Sequence, residues 1–115
     1  MYSVDKMIIP KCEEFISALG CDCYINDDYV QYIEIYNEHE VLLKISFGLL
    51  DGLFKICLSK EDDIILEMYE KDLLSIYIHE DDSKLEIKSY VSENEIRTIT
   101  LVIHPKIKLL SSYIG

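Results

Sequence analysis

DDIILEMYEKD, residues 62–72, reads two ways, and the choice between them decides the fold. As a strand it sets Ile64, Leu66 and Met68 on one side and Ile65, Glu67 and Tyr69 on the other. As a helix it is capped by Asp62 or Asp63 and lines up Ile65, Tyr69 and Leu73 on one stripe. The surroundings favour the strand. Residues 29–36 (YVQYIEIY), 41–47 (VLLKISF), 53–58 (LFKICL), 73–79 (LLSIYIH), 84–91 (KLEIKSYV) and 95–104 (EIRTITLVIH) are β-branched and aromatic runs of strand length. Several alternate. Leu85, Ile87 and Val91 oppose Glu86, Lys88 and Tyr90, while Arg97, Ile99, Leu101 and Ile103 oppose Thr98 and Thr100.

The joints between these runs are short and polar: 37–40, 48–52, 59–62, 80–83 and 92–95. Such joints make antiparallel neighbours, because a parallel pair needs a crossover of about a dozen residues. Upstream, one helix is indicated. Pro10 suits a first turn, Glu13 and Glu14 suit the positive end of the helix dipole, and Gly20 supplies a stop. Cys12, Phe15, Ile16 and Leu19 recur at spacings of three and four and share a face. The predicted fold is α+β: an N-terminal helix packed on an antiparallel β-meander of about six to seven strands, in one domain over residues 1–115. The tail at 106–113 reads equally as a short helix or an edge strand.

Charge is the most unusual property of the chain. Its 115 residues hold 22 Asp and Glu against 11 Lys and Arg, a net charge of −11, although half of the residues are hydrophobic. A soluble domain of this size ordinarily carries a charge of about 2–8 in magnitude. The excess favours basic partners over nucleic acid or an anionic membrane. If the strands run up and down, the joints 37–40, 59–63 and 80–83 share one end. They gather Glu38, Glu40, Glu61, Asp62, Asp63, Glu80, Asp81 and Asp82 into a negative pole, the first candidate for partner binding. The nine tyrosines with no tryptophan suggest a second. Tyr24, Tyr29, Tyr32 and Tyr36 lie among Asp22, Asp27, Asp28 and Glu34, and tyrosine gives stiff contact area with a polar tip. From this segment Asp27, Asp28, Tyr29, Tyr32 and Tyr36 are the candidate contact residues.

Catalytic chemistry finds no footing. There is no nucleophile elbow, phosphate-binding glycine loop or HExxH sequence. The run His79-Glu80-Asp81-Asp82 sits at a strand end, where neighbours face opposite ways. Cys12, Cys21 and Cys23 lack the paired spacing of a zinc site, and with Cys57 they read as buried or free thiols of a reducing compartment. No catalytic residue, metal or cofactor is expected. MYSVDKMIIPK has no long apolar run, and no stretch approaches a membrane span, so a soluble cytoplasmic protein is expected.

In size, acidity, strand content and lack of catalytic motifs, the whole chain resembles the immunity proteins of bacterial contact-dependent inhibition and related polymorphic toxin systems. The likeness carries no diagnostic motif and assigns no residue. It implies a monomer that binds one cognate toxin, commonly a basic nuclease domain, and blocks it. Two alternatives stand beside it, with a small-molecule-binding or enzymatic domain as a third that would need a deep pocket of convergent polar groups. One is a type III-like secretion chaperone, which a helix at 62–72 would favour. The other is a DNA-mimic inhibitor of a nucleic-acid-binding enzyme, which needs carboxylates spaced like phosphates along one face.

Overall fold

Lys11 and Gly20 bracket the helix, α1 (Cys12–Leu19), in a computed structural model that describes residues 7–36, 40–103 and 107–114. The Glu14 carboxylate accepts a hydrogen bond from the Lys11 N–H at 2.7 Å, which satisfies one of the donors left open at a helix start. Gly20 takes the left-handed conformation (φ 63°) and its N–H reaches the Ile16 carbonyl at 2.9 Å. Phe15 is fully buried and Leu19 packs on the core. Ile16, expected on the same face, is 46% exposed, because eight residues of helix turn too narrow a stripe inward to bury it.

Strands β1 (Asp22–Ile25), β2 (Val30–Tyr36), β3 (Val41–Gly48), β4 (Phe54–Lys60) and β5 (Asp63–Glu70) form a five-stranded antiparallel sheet in sequence order. Strands β6 (Leu73–His79), β7 (Lys84–Ser92), β8 (Glu95–Val102) and β9 (Lys108–Ile114) form a second sheet of four. The α+β reading therefore holds, and residues 62–72 contain a strand. The secretion-chaperone alternative loses the helix that would have favoured it. The meander is longer than expected, since 22–25 and 108–114 are also strands, and it is divided.

The division falls at Lys71-Asp72. Asp72 has φ 57°, which turns the chain out of the first sheet, and Leu73 N–H then bonds to Gly52 O instead of pairing with β5. A physical reason is available. Both sheets have one apolar face, and packing the two together buries both. Ile33, Ile35, Leu43, Ile45, Phe47 and Ile56 from the first sheet share one core with Leu85, Ile87, Ile99, Leu101 and Ile103 from the second. Burying each such side chain contributes about 1.5–3 kcal/mol.

Arg97 of β8 pairs with Glu70 of β5 and ties the sheets together at one rim. Val91, expected inside with Leu85 and Ile87, is 49% exposed because the β7–β8 register shifts between Tyr90 and Ser92. A bulge reverses the alternation beyond it.

The cysteines depart from expectation. Cys12 and Cys23 form a disulfide that fastens the start of α1 to β1, so the free-thiol reading applies only to Cys21 and Cys57. Cys21 is buried, donates to the Phe15 carbonyl at 3.4 Å, and burial pushes its pKa up, which keeps it a protonated, unreactive thiol. Gln31, also buried, donates from Nε2 to Pro10 O and Cys23 Sγ, both at 3.4 Å, and locks β2 to the segment entering the helix.

Candidate partner-binding face

The first sheet buries one face and leaves the other to solvent. Register fixes what the outer face displays, since residues directly opposite share a side. One cross-strand row runs Tyr24–Tyr32–Ser46–Lys55–Tyr69. The Tyr24 and Tyr32 rings stack at 5.0 Å, Lys44 Nζ lies 5.4 Å from the Tyr32 centroid, and Lys55 Nζ lies 4.9 Å from that of Tyr69.

The next row runs Asp22–Glu34–Lys44–Cys57–Glu67, with ion pairs Lys44–Glu34 at 3.5 Å and Lys55–Glu67 at 3.6 Å. The hydroxyl of Tyr69, and after it the Glu67 carboxylate, hold the Lys55 pKa above its usual value. Both lysines of this face are therefore already met by carboxylates. A third row, Tyr36–Leu42–Ser59–Ile64, closes the face at the end where β2 and β4 finish.

At that end lies a depression of about 370 Å3 lined by Tyr36, Glu40, Leu42, Ser59, Glu61 and Asp62. It unites members of both groups of candidate residues, a tyrosine from 22–36 and three carboxylates of the joints. Asp63 begins β5 beside them, opposite Lys60. Glu38 lies outside the described residues. Glu80 lies elsewhere: it lines a separate depression with Glu13, Glu14, Ser17, Ala18 and Ile78, beside the helix. Asp81 and Asp82 are exposed in the same β6–β7 turn, and Asp82 is 3.7 Å from Lys84. Asp27, Asp28 and Tyr29 form the β1–β2 turn at the opposite end of the sheet from Tyr36, organised by Asn26 Oδ1, which accepts from Asp28 N and Val30 N at 3.0 Å each. Tyr32 stands between these ends in the aromatic row. The face also contains contributors that composition did not reveal: Leu42, Ile64 and Tyr69. Their signal is strand register, which needs the pairings.

The Glu61-Asp62 link is a two-residue hairpin turn with both residues at positive φ (51° and 68°), a conformation usually given to Asn-Gly or Asp-Gly. Glu40 also has positive φ (61°). Large side chains are held where glycine or asparagine would fit more easily. Replacing Glu61 by Asn together with Asp62 by Gly is expected to raise stability by about 0.5–1 kcal/mol, read as a higher urea midpoint. A lowered midpoint would show instead that the two carboxylates stabilise the turn.

Comparison with known proteins follows the same fold. No family model matches the chain. It is 33% identical over 81 residues to the uncharacterized protein PM0492 of Pasteurella multocida (strain Pm70), covering 70% of this chain and 74% of that one. The chain belongs to the PM0492 family. A solved structure gives this member of the PM0492 family its architecture over its whole length. It is similar to a chain of the contact-dependent growth inhibition toxin–immunity protein complex from Klebsiella pneumoniae 342, with a TM-score of 0.80, covering 99% of this chain and 100% of that one. Sequence identity there is 19%, so what the PM0492-family chain shares with it is the fold.

Proposed function

We propose that the chain is an immunity protein, a non-catalytic acidic inhibitor that binds and neutralises a toxin of a contact-dependent inhibition system. The observation that carries the reading is the end-to-end match to a chain from a toxin–immunity complex. The charge chooses between the two roles in such a complex. A net charge of −11 opposes any task that requires gripping phosphates, and suits the partner that covers a basic groove.

The toxin is in this reading a basic nuclease domain, met in the cytoplasm by a monomer of this chain. Among the described residues no helix is long and apolar enough to cross a membrane. In a reducing compartment Cys12 and Cys23 would stand as thiols, and α1 would then be held by Phe15 and Leu19 with the Cys21–Phe15 and Gln31–Pro10 hydrogen bonds. The contact candidates are Tyr36, Glu40, Glu61 and Asp62 at one end of the outer face, with Glu38, Asp63, Glu80, Asp81, Asp82, Asp27, Asp28, Tyr29 and Tyr32 as the remaining acidic and tyrosine positions. On that outer face Lys44 and Lys55 interrupt the carboxylates, an arrangement unlike a strand of phosphates, which favours toxin binding over nucleic-acid mimicry.

Co-producing the chain with contact-dependent inhibition toxin domains from its own genome tests the reading. Restored growth is expected, with a one-to-one complex on size exclusion. Continued growth arrest, with the two proteins eluting apart, would refute it.

A further inference from the structure

We propose that the partner docks on the solvent face of β2–β5, at the Tyr36–Ile64 row, and not on the acidic tip at residues 80–82. The occupant is a folded protein domain that presents Arg or Lys side chains. This inference deepens the toxin-binding reading and rests on it for the partner's identity.

Two observations on this face agree. First, it has the anatomy of an interface: an apolar centre inside a charged rim. Tyr36 is 69% exposed and Ile64 63% exposed, with Leu42 half-buried between them. Large apolar and aromatic side chains left open side by side mark a contact surface. Second, the charge is one-sided where it borders that row. Glu40, Glu61 and Asp62 make no ion pair with a described residue, whereas Lys44 and Lys55 are held by Glu34 and Glu67. Among the described residues this face offers unmatched anions while its two lysines are matched; Lys60, the residue after Ser59, alternates to the other side of β4, opposite Asp63.

An arginine entering the depression would stack on the Tyr36 ring and fork to a rim carboxylate. The same asymmetry argues against a second copy of this chain. A self-complementary pairing would bring Glu61 and Asp62 of both molecules close together, and like charges facing each other are costly. The 80–82 turn itself is made of carboxylates only, with no aromatic or aliphatic residue in it, and one of them is already near Lys84.

Two measurements test the assignment. Isotope-labelled full-length protein is titrated at low salt with a deca-arginine peptide. Amide shifts are expected to gather at residues 36, 40–42 and 59–64. Shifts gathered at 80–82 and the helix start, or spread evenly over the surface, would overturn the inference.

The second measurement uses contact-dependent inhibition toxin domains from the same genome. Tyr36→Ser with Ile64→Ser is expected to weaken the complex by about 30-fold or more, and Glu80→Gln with Asp81→Asn and Asp82→Asn by less than about threefold. All five positions are on the surface, and circular dichroism confirms the fold. The reverse ranking would overturn the inference. A wild-type chain that ignores the toxin domain defeats the toxin-binding reading instead, and the peptide map then decides the face by itself.

Discussion

Phe15→Ala is expected to destabilise the chain by about 3–5 kcal/mol, the largest loss from any single substitution in the helix. Phe15 has no exposed surface, and its ring centroid lies 6.0 Å from that of Phe47 in β3. It is the only fully buried residue of α1, with partly buried Leu19 as the other core contact of the helix, so this ring carries most of the attachment. Truncation leaves a cavity that the sheet cannot close, because Phe47 beside it is held in register by the β2–β3 and β3–β4 pairings. Urea unfolding, followed with the Cys12–Cys23 bond intact and again with a reductant, separates two effects. The bond shortens the unfolded loop and is worth about 2–3 kcal/mol by chain entropy. In the reduced variant both anchors are gone, and α1 is expected to detach from β1 before the sheets unfold. Ile16→Ala, on the exposed side of the same helix, serves as the control and should cost less than about 1 kcal/mol. A loss below that level for Phe15 would mean that the helix is not part of the cooperative core.

The strands were legible in the sequence because their interior demands are local. Ile33, Ile35, Leu43, Ile45 and Ile56 repeat at period two, and each falls on the buried face. The division into two sheets was not legible. A two-residue joint such as Lys71-Asp72 looks the same whether the next strand pairs beside the last or crosses to another layer. What decides is the positive φ at Asp72 and the bond from Leu73 to Gly52, neither of which has a sequence signature. Strand β1 was hidden by its brevity and by the acid and the cysteine in DCYI, and with it the Cys12–Cys23 pairing. Val91 shows the limit of alternation, which holds only until a bulge.

The candidate face was half legible. Charge counting found the joints, and tyrosine counting found residues 22–36, as two separate surfaces. Pairing of β2 with β3 and of β3 with β4 is what places Tyr36 beside Leu42 and Ser59, and so beside the carboxylates of the next hairpin. Among the described residues Glu40 and the Glu61-Asp62 turn line one depression, and Glu80 lines a separate one beside α1.

Association with a basic toxin domain is expected to slow by about ten- to a hundredfold when ionic strength rises from about 0.01 M to about 0.15 M. Over that range the Debye length falls from about 30 Å to about 8 Å. The molecule measures 41 × 31 × 29 Å, so at the lower salt all 11 excess negative charges act on an approaching cation, and at the higher salt only those near the contact do. Neutralising Glu61, Asp62, Asp63, Glu80, Asp81 and Asp82 together should slow association several-fold and flatten the salt dependence. Dissociation should respond to a different set. Tyr36→Ser removes a desolvated anchor and leaves the charge unchanged, so the complex should fall apart faster while the salt slope of association stays as in the wild type. Stopped-flow mixing at four salt concentrations reads both rates. If the six-residue variant keeps the full salt slope, long-range attraction arises from acids elsewhere, and the carboxylates of these turns have no part in drawing the toxin in.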